Sequence, residues 1–540
     1  MPAQISSPPD AAPPQQAAPA RRHRLARLQR LWWLPAALAY SLLRLPSFLE
    51  PHWFTDEAGY AVAGREMLSG RMPYASIWNN KPPLHLATVG AVVRTLGSSE
   101  TVLHLVTFAG GAIALGAMAY IATHLFRTWK AATALLAGAA LLGLPFFDAE
   151  LLIPESLLIA PASWAAAIVI VRLHERRIEG IGWTVAAGLL AAAAIGYQQT
   201  AVADAAAVGL ILLVHRNALP RHAISYVVTV VLATAAWVIP LVLLVGPHTL
   251  WFALVGFYLG DYNLSSQPGA HGPVLAALLS LTIAFTVVGA VVARRRHGRN
   301  PTWMLAVWAI AALCVPAAAQ QPFAHFLAPC LIPCILVVVA VLPERWPGLQ
   351  SLRHHAGLTA LVGTAPLAAA LLTAGLLGRS AGVDWIPPGA SQGSNGYRNL
   401  ETYYSGAWQV ATGGHSWTEW ESEFDLRAPA DTATGEWLRQ HGLRGARAVV
   451  WSSDAWPYLL ADLPVLLPTA PIYNDEVLLG SNGEVTNRVR ALGPSIIVAE
   501  SDDLVNFPEI IGLLDSDYRE VFSSTVDHVF LRNDLDVPTS

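Results

Sequence analysis

Charged side chains of complementary types lie close together in residues 53–84, directly after the first apolar segment of the chain. The stretch reads WFTDEAGYAVAGREMLSGRMPYASIWNNKPPL and contains the adjacent acids Asp56 and Glu57 and, near its end, Lys81. A positioned carboxylate can take a proton from a hydroxyl group, and an ammonium group can bind a phosphate as a point charge. Only two lysines occur among the 33 Lys and Arg residues, which indicates that a compact ammonium is needed here. Together these residues predict a site for an anionic lipid headgroup.

The same stretch also has a purely structural interpretation, which the sequence leaves open. The pattern of residues 55–69 predicts a short amphipathic helix whose apolar face carries Tyr60, Ala63, Met67 and Leu68. Thr55 or Asp56 would then be the N-cap of this helix, and the acids in its first turn would interact favourably with the helix dipole.

Composition indicates a membrane protein. Apolar residues make up 54% of the 540-residue chain and charged residues only 13%, whereas a soluble domain has about 25% charged residues. The basic residues are scattered over short loops, so we expect no nucleic-acid partner. The three cysteines all lie in apolar segments and predict neither a disulfide framework nor a zinc site.

Apolar segments of suitable length predict about eleven membrane spans. They lie near residues 31–49, 102–125, 131–146, 152–171, 182–197, 199–214, 223–245, 273–293, 302–318, 324–342 and 356–377. The segment 83–97 is apolar on one side only and is expected to lie at the membrane interface. Lys and Arg are concentrated in alternate loops. The positive-inside rule therefore places the N-terminus in the cytoplasm, with residues 50–82 and everything after residue 378 outside.

The chain accordingly divides into three predicted regions. Residues 1–30 form a disordered basic cytoplasmic tail, residues 31–378 a transmembrane core with the outer loop 50–82, and residues 379–540 an extracytoplasmic α/β domain. In the last region the strand-like runs ARAVVW and PSIIVAE alternate with helical stretches near 432–442 and 505–515. The predicted fold class is a polytopic α-helical membrane protein with a C-terminal α/β domain.

The outer loop carries a resemblance to a known family. DEAGYAVAGREMLSGRMPY followed by NKPPL resembles the first outer loop of GT-C glycosyltransferases. Within that fold it is most similar to bacterial relatives of protein O-mannosyltransferases (glycosyltransferase family 39) and of the lipid A aminoarabinose transferases. The resemblance implies an inverting enzyme of the bacterial cytoplasmic membrane that moves a hexosyl or pentosyl group from a polyprenyl-phosphate donor to an acceptor hydroxyl. A glycan, a lipid or a protein could be that acceptor, and membrane lipid would surround the core.

The resemblance also implies roles for individual residues. Asp56 is the expected catalytic base, and Glu57 would orient it or help to hold a divalent cation such as Mg²⁺ or Mn²⁺. Lys81 would bind the donor phosphate. GYQQTA and QQPFAHFLAP resemble two later motifs of the family, which adds Gln198 and His325 as candidate phosphate-binding residues.

Four further residues are candidates for binding substrate. They are Tyr60, Glu155 in LLIPESLLI, and Asp261 and Tyr262 in a later outer loop. Asp148 and Glu150 compete with Glu155 for the role of a second acid in the cavity. Asp261 and Tyr262 form with Asn263 a loop whose aromatic and amide groups suit a carbohydrate, although the same residue types form ordinary turns.

Several positions depart from the family pattern. Gly59 and His104 stand where arginine is frequent, Asn80 where glutamate can occur, and Gln198 where lysine is usual.

Two rival interpretations of the whole chain stay open. One is a transporter or lipid flippase that uses the outer acids to bind ions or headgroups, and it predicts charges in the middle of spans. The other is an inactive membrane anchor for an outer binding domain.

Overall fold

The computed structural model describes residues 32–259, 301–318, 324–342 and 400–537. The membrane part begins with α1 (Leu34–Arg44), a 3₁₀ turn (Pro46–Leu49), α2 (Thr55–Leu68), α3 (Pro83–Leu96), α4 (Glu100–Leu125), α5 (Thr128–Gly143) and α6 (Pro154–Glu175). It continues with α7 (Gly182–Tyr197), α8 (Val202–Val214), α9 (Pro220–Val245), α10 (Pro247–Trp251, extended by a π turn to Gly256), α11 (Thr302–Ala318), a 3₁₀ segment (Ala324–Cys330) and α12 (Leu331–Val341).

Every predicted span that falls within these ranges coincides with a helix. Helices α4, α6 and α9 and the continuous segment Ala324–Val341 are long and apolar enough to cross a membrane. Shorter apolar helices cover Leu34–Leu49, Gly182–Tyr197, Gln199–Val214 and Thr302–Pro316. The chain is a multi-pass membrane protein. The predicted spans 273–293 and 356–377 and the predicted tail 1–30 lie outside the described residues.

Polar contacts occur at both ends of the bundle. At one end Lys130 Nζ donates to the carbonyl of Ala340, at 3.3 Å. At the other end the loops assigned to the outer side meet one another through the pairs Lys81–Tyr258, Asp148–His325 and Glu155–Gln198. The candidate residues that the structure describes are thus collected at a single end of the bundle, which is called the outer end after the sidedness that loop charge predicts.

Helices α2 and α3 form a closely packed pair at that end. A Cβ atom built on Gly64 would lie 2.6 Å from the backbone nitrogen of Gly90, so only glycine permits this approach. Helix α3 starts at Pro83, where proline suits the first helical position. The prediction of an amphipathic α2 is wrong in one respect, because most of the helix is buried and Leu68, assigned to the apolar face, is exposed.

The C-terminal part is a mixed sheet covered by helices. Strands β1 (Ala448–Trp451), β2 (Ile496–Glu500), β3 (Tyr518–Ser523) and β4 (Asp527–Arg532) lie in the order β1-β2-β4-β3. β1 and β2 are parallel, and the other pairs are antiparallel. The helices are α13 (Leu400–Thr412), α14 (Trp417–Phe424), α15 (Arg427–Gln440), α16 (Trp456–Leu460), α17 (Ile472–Leu479), α18 (Asn482–Leu492), α19 (Ser501–Asn506) and α20 (Ile511–Asp517).

The predicted strands ARAVVW and PSIIVAE correspond to β1 and β2, whose residues are all buried. Helices on both faces of a parallel pair explain such continuous apolar runs. The predicted helix near 505–515 is wrong as a single element. It is divided by a 3₁₀ turn at Pro508–Ile510, because proline at position 508 cannot donate a backbone hydrogen bond.

Helices α13 and α14 attach this part to the outer end of the bundle. Tyr403 Oη donates to Glu50 Oε1 at 2.5 Å, and Trp420 Nε1 donates to the carbonyl of Leu49 at 2.6 Å. The backbone N–H of Trp78 donates to the carbonyl of Pro468 at 2.7 Å. The loop that carries Lys81 is therefore held between the membrane helices and the α/β part.

Candidate active site

The first turn of α2 presents its two acids to different surroundings. Asp56 is partly exposed and accepts a hydrogen bond from Tyr60 Oη at 3.3 Å. Glu57 is fully buried, and its Oε1 accepts from the backbone N–H of Leu152 at 2.6 Å. The capping prediction is wrong, because Phe54 occupies the N-cap position and both acids lie inside the helix. Their place in the first turn still suits the helix dipole.

Lys81 is buried beside Asp56, with 7% of its surface exposed. Its Nζ donates to Tyr258 Oη at 2.9 Å and lies 5.6 Å from the ring centroid of Tyr60. Burial alone would lower the pKa of Lys81, but the Tyr258 phenol and the charges of Glu155 and Asp56 raise it above its ordinary value. The group is therefore a fixed cation at neutral pH.

Pro82 and Pro83 hold the backbone beside this cation. Pro82 is extended and Pro83 begins α3, and each ring restricts one backbone torsion. Tyr74 Oη donates to the carbonyl of Lys81 at 2.8 Å. The ammonium is thus placed by a rigid backbone as well as by its own contacts, which reduces the entropy lost when it binds an anion.

Glu155 and Gln198 face each other across α6 and the end of α7. Gln198 Nε2 donates to Glu155 Oε1 at 2.7 Å, and both side chains are buried. Gln198 Oε1 has no hydrogen-bond partner within the described part of the chain. The adjacent Gln199 donates to the carbonyls of Asn80 and Leu254, at 3.3 and 3.1 Å, which ties this pair to the Lys81 loop.

His325 completes the cluster from the 3₁₀ segment. Its Nδ1 lies 3.1 Å from Asp148 Oδ2. The charges of Glu155, Asp148 and Asp56 all act on this imidazole. Among the two competitors of Glu155, Asp148 therefore belongs to the same cluster, whereas Glu150 lies 3.8 Å from Arg44 Nη1.

A second group of polar side chains includes Glu57, which is the sequence neighbour of Asp56 in α2. Glu57, Glu100 and His104 are all buried, and one ligand atom of each lies within 4.8 Å of the others. His104 Nε2 lies 3.7 Å from Glu57 Oε2 and 3.5 Å from Glu100 Oε2. Carboxylates and imidazole are common ligands of divalent metals, so this group could hold one.

Sequence reasoning missed some of the residues at this end of the bundle. Tyr258, which contacts Lys81, lies more than 170 positions further along the chain and next to a π turn. Glu100 lies just before the predicted span 102–125 and was not among the candidate residues. Its spacing of four residues from His104 places both on one helix face and was the available signal. Asp261 and Tyr262 lie outside the described residues.

The fold can now be assigned. The chain has a polytopic α-helical membrane fold of the GT-C type with a C-terminal α/β domain, as the sequence predicts. No family model and no curated protein sequence matches the chain, so the likeness is one of structure.

The fold of this chain resembles those of several solved membrane proteins. The crystal structure of ArnT from Cupriavidus metallidurans bound to undecaprenyl phosphate matches with a TM-score of 0.61 and 17% identity, covering 97% of this chain and 100% of that chain. The apo state of the same protein matches with a TM-score of 0.60 and 16% identity, covering 94% of this chain and 98% of that chain. ArnT is a lipid A aminoarabinose transferase. The apo form of the Archaeoglobus fulgidus oligosaccharyltransferase has a TM-score of 0.46 and 13% identity, covering 94% of this chain and 75% of that chain.

Proposed function

We propose that this protein is a membrane glycosyltransferase that takes a sugar from a polyprenyl-phosphate donor. The observation that carries the proposal is the buried ammonium of Lys81 beside the partly exposed carboxylate of Asp56. The ammonium group can bind the donor phosphate, and the carboxylate can take the proton of the acceptor hydroxyl. The ArnT-like fold over nearly the whole chain supports it, because one of the matching ArnT structures is bound to undecaprenyl phosphate.

The chemistry divides between these two residues. The acceptor oxygen attacks the anomeric carbon directly while its proton passes to Asp56. The bond from that carbon to the phosphate oxygen breaks, the configuration inverts, and the polyprenyl phosphate leaves with one more negative charge. Lys81 stabilises that charge, and its position in a buried, preorganised site makes the interaction stronger than in water. Tyr60 and Tyr258 flank the ammonium and restrict where the phosphate can lie.

Glu155 and its neighbours extend this site into the membrane part of the bundle. A small cavity is lined by Glu155, Leu158, Asp204, Ala312 and Phe326. Its lining combines polar and apolar side chains, which suits the junction between a phosphate headgroup and the start of a lipid chain. We propose that the polyprenyl chain leaves the site between the membrane helices on this side.

The topology proposed from loop charge places the reaction on the outer face of a bacterial cytoplasmic membrane. The acceptor then belongs to the outer compartment and is a glycan, a lipid or a protein. The contact of α13 and α14 with the outer end of the bundle supports a role for the C-terminal part in presenting this acceptor.

A divalent cation is part of the proposal, but not as a group bound by Asp56. In the described residues the three side chains that fit a metal are Glu57, Glu100 and His104. A cation there would supply fixed positive charge behind the first turn of α2. The proton transfer and the stabilisation of the leaving group are assigned to Asp56 and Lys81 alone.

The test is turnover of a radiolabelled polyprenyl-phosphate sugar by the purified full chain in lipid nanodiscs. Wild type, Asp56→Asn and the control Asp462→Asn are compared at equal folded amounts, across several sugars and with cell-envelope extract as acceptor. Asp462 is exposed in the C-terminal part and lies 3.5 Å from Arg65 Nη1 of α2; asparagine can keep this contact, so turnover is expected to be unchanged. Asp56→Asn keeps donor binding and lowers turnover by about 10²–10⁴-fold.

Two results would count against this assignment. If wild type consumes no donor under any of these conditions but binds it, a carrier or flippase becomes the better description, and transport of labelled lipid across vesicles is measured next. If Asp56→Asn turns over as fast as Asp462→Asn, the enzyme has another base, and Asp56 is a structural residue of α2.

A further inference from the structure

Four buried atoms converge between α2 and α4, where His104 Nε2 lies at ion-pair distance from the two carboxylates. Glu57 Oε2, both carboxylate oxygens of Glu100 and His104 Nε2 lack a hydrogen-bond partner within the described residues. The three side chains are 0–4% exposed. An unsatisfied buried polar group costs about 1–3 kcal/mol, and more when it is charged. Several at one point therefore indicate a missing positive group.

Two of these three side chains, Glu57 and His104, are held by a hydrogen bond at their other polar atom. Glu57 Oε1 accepts the backbone N–H of Leu152 at 2.6 Å, and His104 Nδ1 lies 2.5 Å from the carbonyl of Ser47. Only a protonated Nδ1 can make the second contact. In the neutral ring Nε2 then carries a bare lone pair directed at two carboxylates. A histidine whose Nδ1–H is bound by a backbone carbonyl is the usual arrangement of a metal ligand.

The spacing fits a small ion. Ligand atoms around a tetrahedral ion with bonds of about 2.0–2.2 Å lie roughly 3.3–3.6 Å apart. His104 Nε2 is 3.5 Å from Glu100 Oε2 and 3.7 Å from Glu57 Oε2. Two carboxylates and a doubly charged ion also leave this buried point neutral, which removes the cost of burying charge without compensation.

We propose that Glu57, Glu100 and His104 bind a divalent transition-metal ion, with Zn²⁺ as the best fit. The imidazole ligand and the buried position favour Zn²⁺ over Mg²⁺, since Mg²⁺ prefers oxygen ligands and retains several waters. The ion joins the first turn of α2 to α4 and, through Glu57, to the loop that contains Leu152. It fixes the backbone that carries Asp56 without contacting the reacting groups.

The first measurement is the metal content of the full chain, purified in nanodiscs without chelators or a metal-affinity tag. Wild type is expected to contain one equivalent of zinc and, after exchange, to show the visible absorption of a tetrahedral Co²⁺ site. Chelation is expected to lower the thermal midpoint of unfolding. No sugar donor is used, so the result stands apart from the transferase proposal.

Variants then test the ligands. His104→Gln and Glu100→Gln are expected to lower the affinity for Co²⁺ by more than about 100-fold. His52→Gln and Asp56→Asn are the controls, because His52 is a nearby histidine bonded to the carbonyl of Ser98 and Asp56 faces the other way. His104→Arg replaces the ion with a permanent cation and should fold without metal.

Metal-free wild type that also takes up no Co²⁺ would overturn the site, whatever the variants do. The group would then be an imidazolium between two acids, and His104 would be doubly protonated by NMR. Equal loss of metal from His52→Gln and His104→Gln would likewise exclude His104 as a specific ligand.

Discussion

Two regions of the molecule each surround one cation with several carboxyl groups, but the hydrogen bonds of these groups are complete in one region and incomplete in the other. At the outer end of the bundle, Lys81 lies among Asp56, Glu155 and two tyrosines. In the C-terminal part, Arg427 lies among Asp425, Asp454 and Glu500. The composition of the two clusters is similar, but their hydrogen bonding is not.

The Arg427 cluster is satisfied within the protein. Arg427 binds Asp425 in a bidentate pair, with Nε–Oδ1 and Nη2–Oδ2 distances of 3.1 and 2.6 Å. Ser452 Oγ donates to Glu500 Oε2 at 2.8 Å, and the backbone N–H of Trp456 donates to Asp454 Oδ1 at 3.0 Å. Asp454 follows β1 and Glu500 is the last residue of β2, so this network fixes the carboxyl ends of the parallel strands.

The Lys81 cluster contains polar groups that can still form hydrogen bonds with another molecule. Asp56 is partly exposed, and Gln198 Oε1 is buried without a partner among the described residues. A compact ammonium with three donors can also donate to a phosphate oxygen in addition to Tyr258 Oη. Similar residue types therefore stabilise the fold where their bonds are complete, and they suit a ligand where the bonds are incomplete.

The largest expected effect comes from removing the cation of the satisfied cluster. Arg427→Met leaves buried carboxylates without their counter-charge and is expected to lower the free energy of unfolding by about 3–5 kcal/mol. Chemical denaturation followed by tryptophan fluorescence measures this change. The control Arg444→Met, at an exposed ion pair, should change stability by less than about 1 kcal/mol. Equal effects of the two variants would show that the Arg427 network does not support the fold.

Removing the other cation should affect binding and not stability. Lys81→Met is expected to weaken donor binding by about 100-fold, the loss typical of a buried charge that pairs with a ligand. Lys81→Arg should recover only part of this, because a guanidinium is larger and planar. Donor affinity is measured by titration in nanodiscs.

The chain provides a matched control for this variant. Lys130→Met removes the second lysine, which lies at the opposite end of the bundle, and should leave donor affinity unchanged. If Lys81→Met instead unfolds the protein while donor affinity per folded molecule is retained, Lys81 belongs with Arg427 as a structural cation, and the contrast between the clusters disappears.

A smaller effect is expected at the second acid of the outer cluster. Glu155→Gln keeps the hydrogen bond from Gln198 but removes a charge that acts on Lys81 and His325. We expect kcat/KM to fall about tenfold, which corresponds to about 1.4 kcal/mol. Glu175→Gln, at the other end of α6, is the control and should have wild-type kinetics. A wild-type rate for Glu155→Gln would place Glu155 outside the reaction.

The sequence predicts those features that depend on local pattern. Apolar length identifies α4, α6 and α9, and the helix over residues 55–68 follows from its pattern. Strands β3 and β4 were missed because charged residues such as Arg519 and Glu520 interrupt the apolar run of β3. Its pairing with β4 supplies the stabilisation that the local sequence lacks.

The candidate site was only partly predictable for a related reason. The motif names Asp56 and Lys81, whose positions are local to one loop. The approach of Tyr258 to Lys81, and of His325 to Asp148, depends on packing between distant helices, which one sequence does not encode as a pattern. The opposite surroundings of Asp56 and Glu57 follow from burial on two sides of α2 and could not be read from their adjacency.

The smallest expected effect is a pH dependence confined to the Arg427 cluster. Burial raises the pKa of Glu500 to about 8 and that of Asp454 to about 6, although Arg427 opposes both shifts. The folded state therefore holds protons that the unfolded chain releases near pH 4–4.5. Stability should be greatest below that range and fall as pH rises to about 8.

Hydrogen exchange of the β1 and β2 amides, corrected for the intrinsic rate, measures this change in the full chain. The opening free energy is expected to decrease as pH rises from 5.5 to 8.5. Glu500→Gln should flatten the profile, whereas Glu520→Gln, at an exposed position on β3, should not. A profile that rises with pH would mean that Glu500 is stabilised as a carboxylate by Arg427. The C-terminal network would then be held by charge pairing rather than by retained protons.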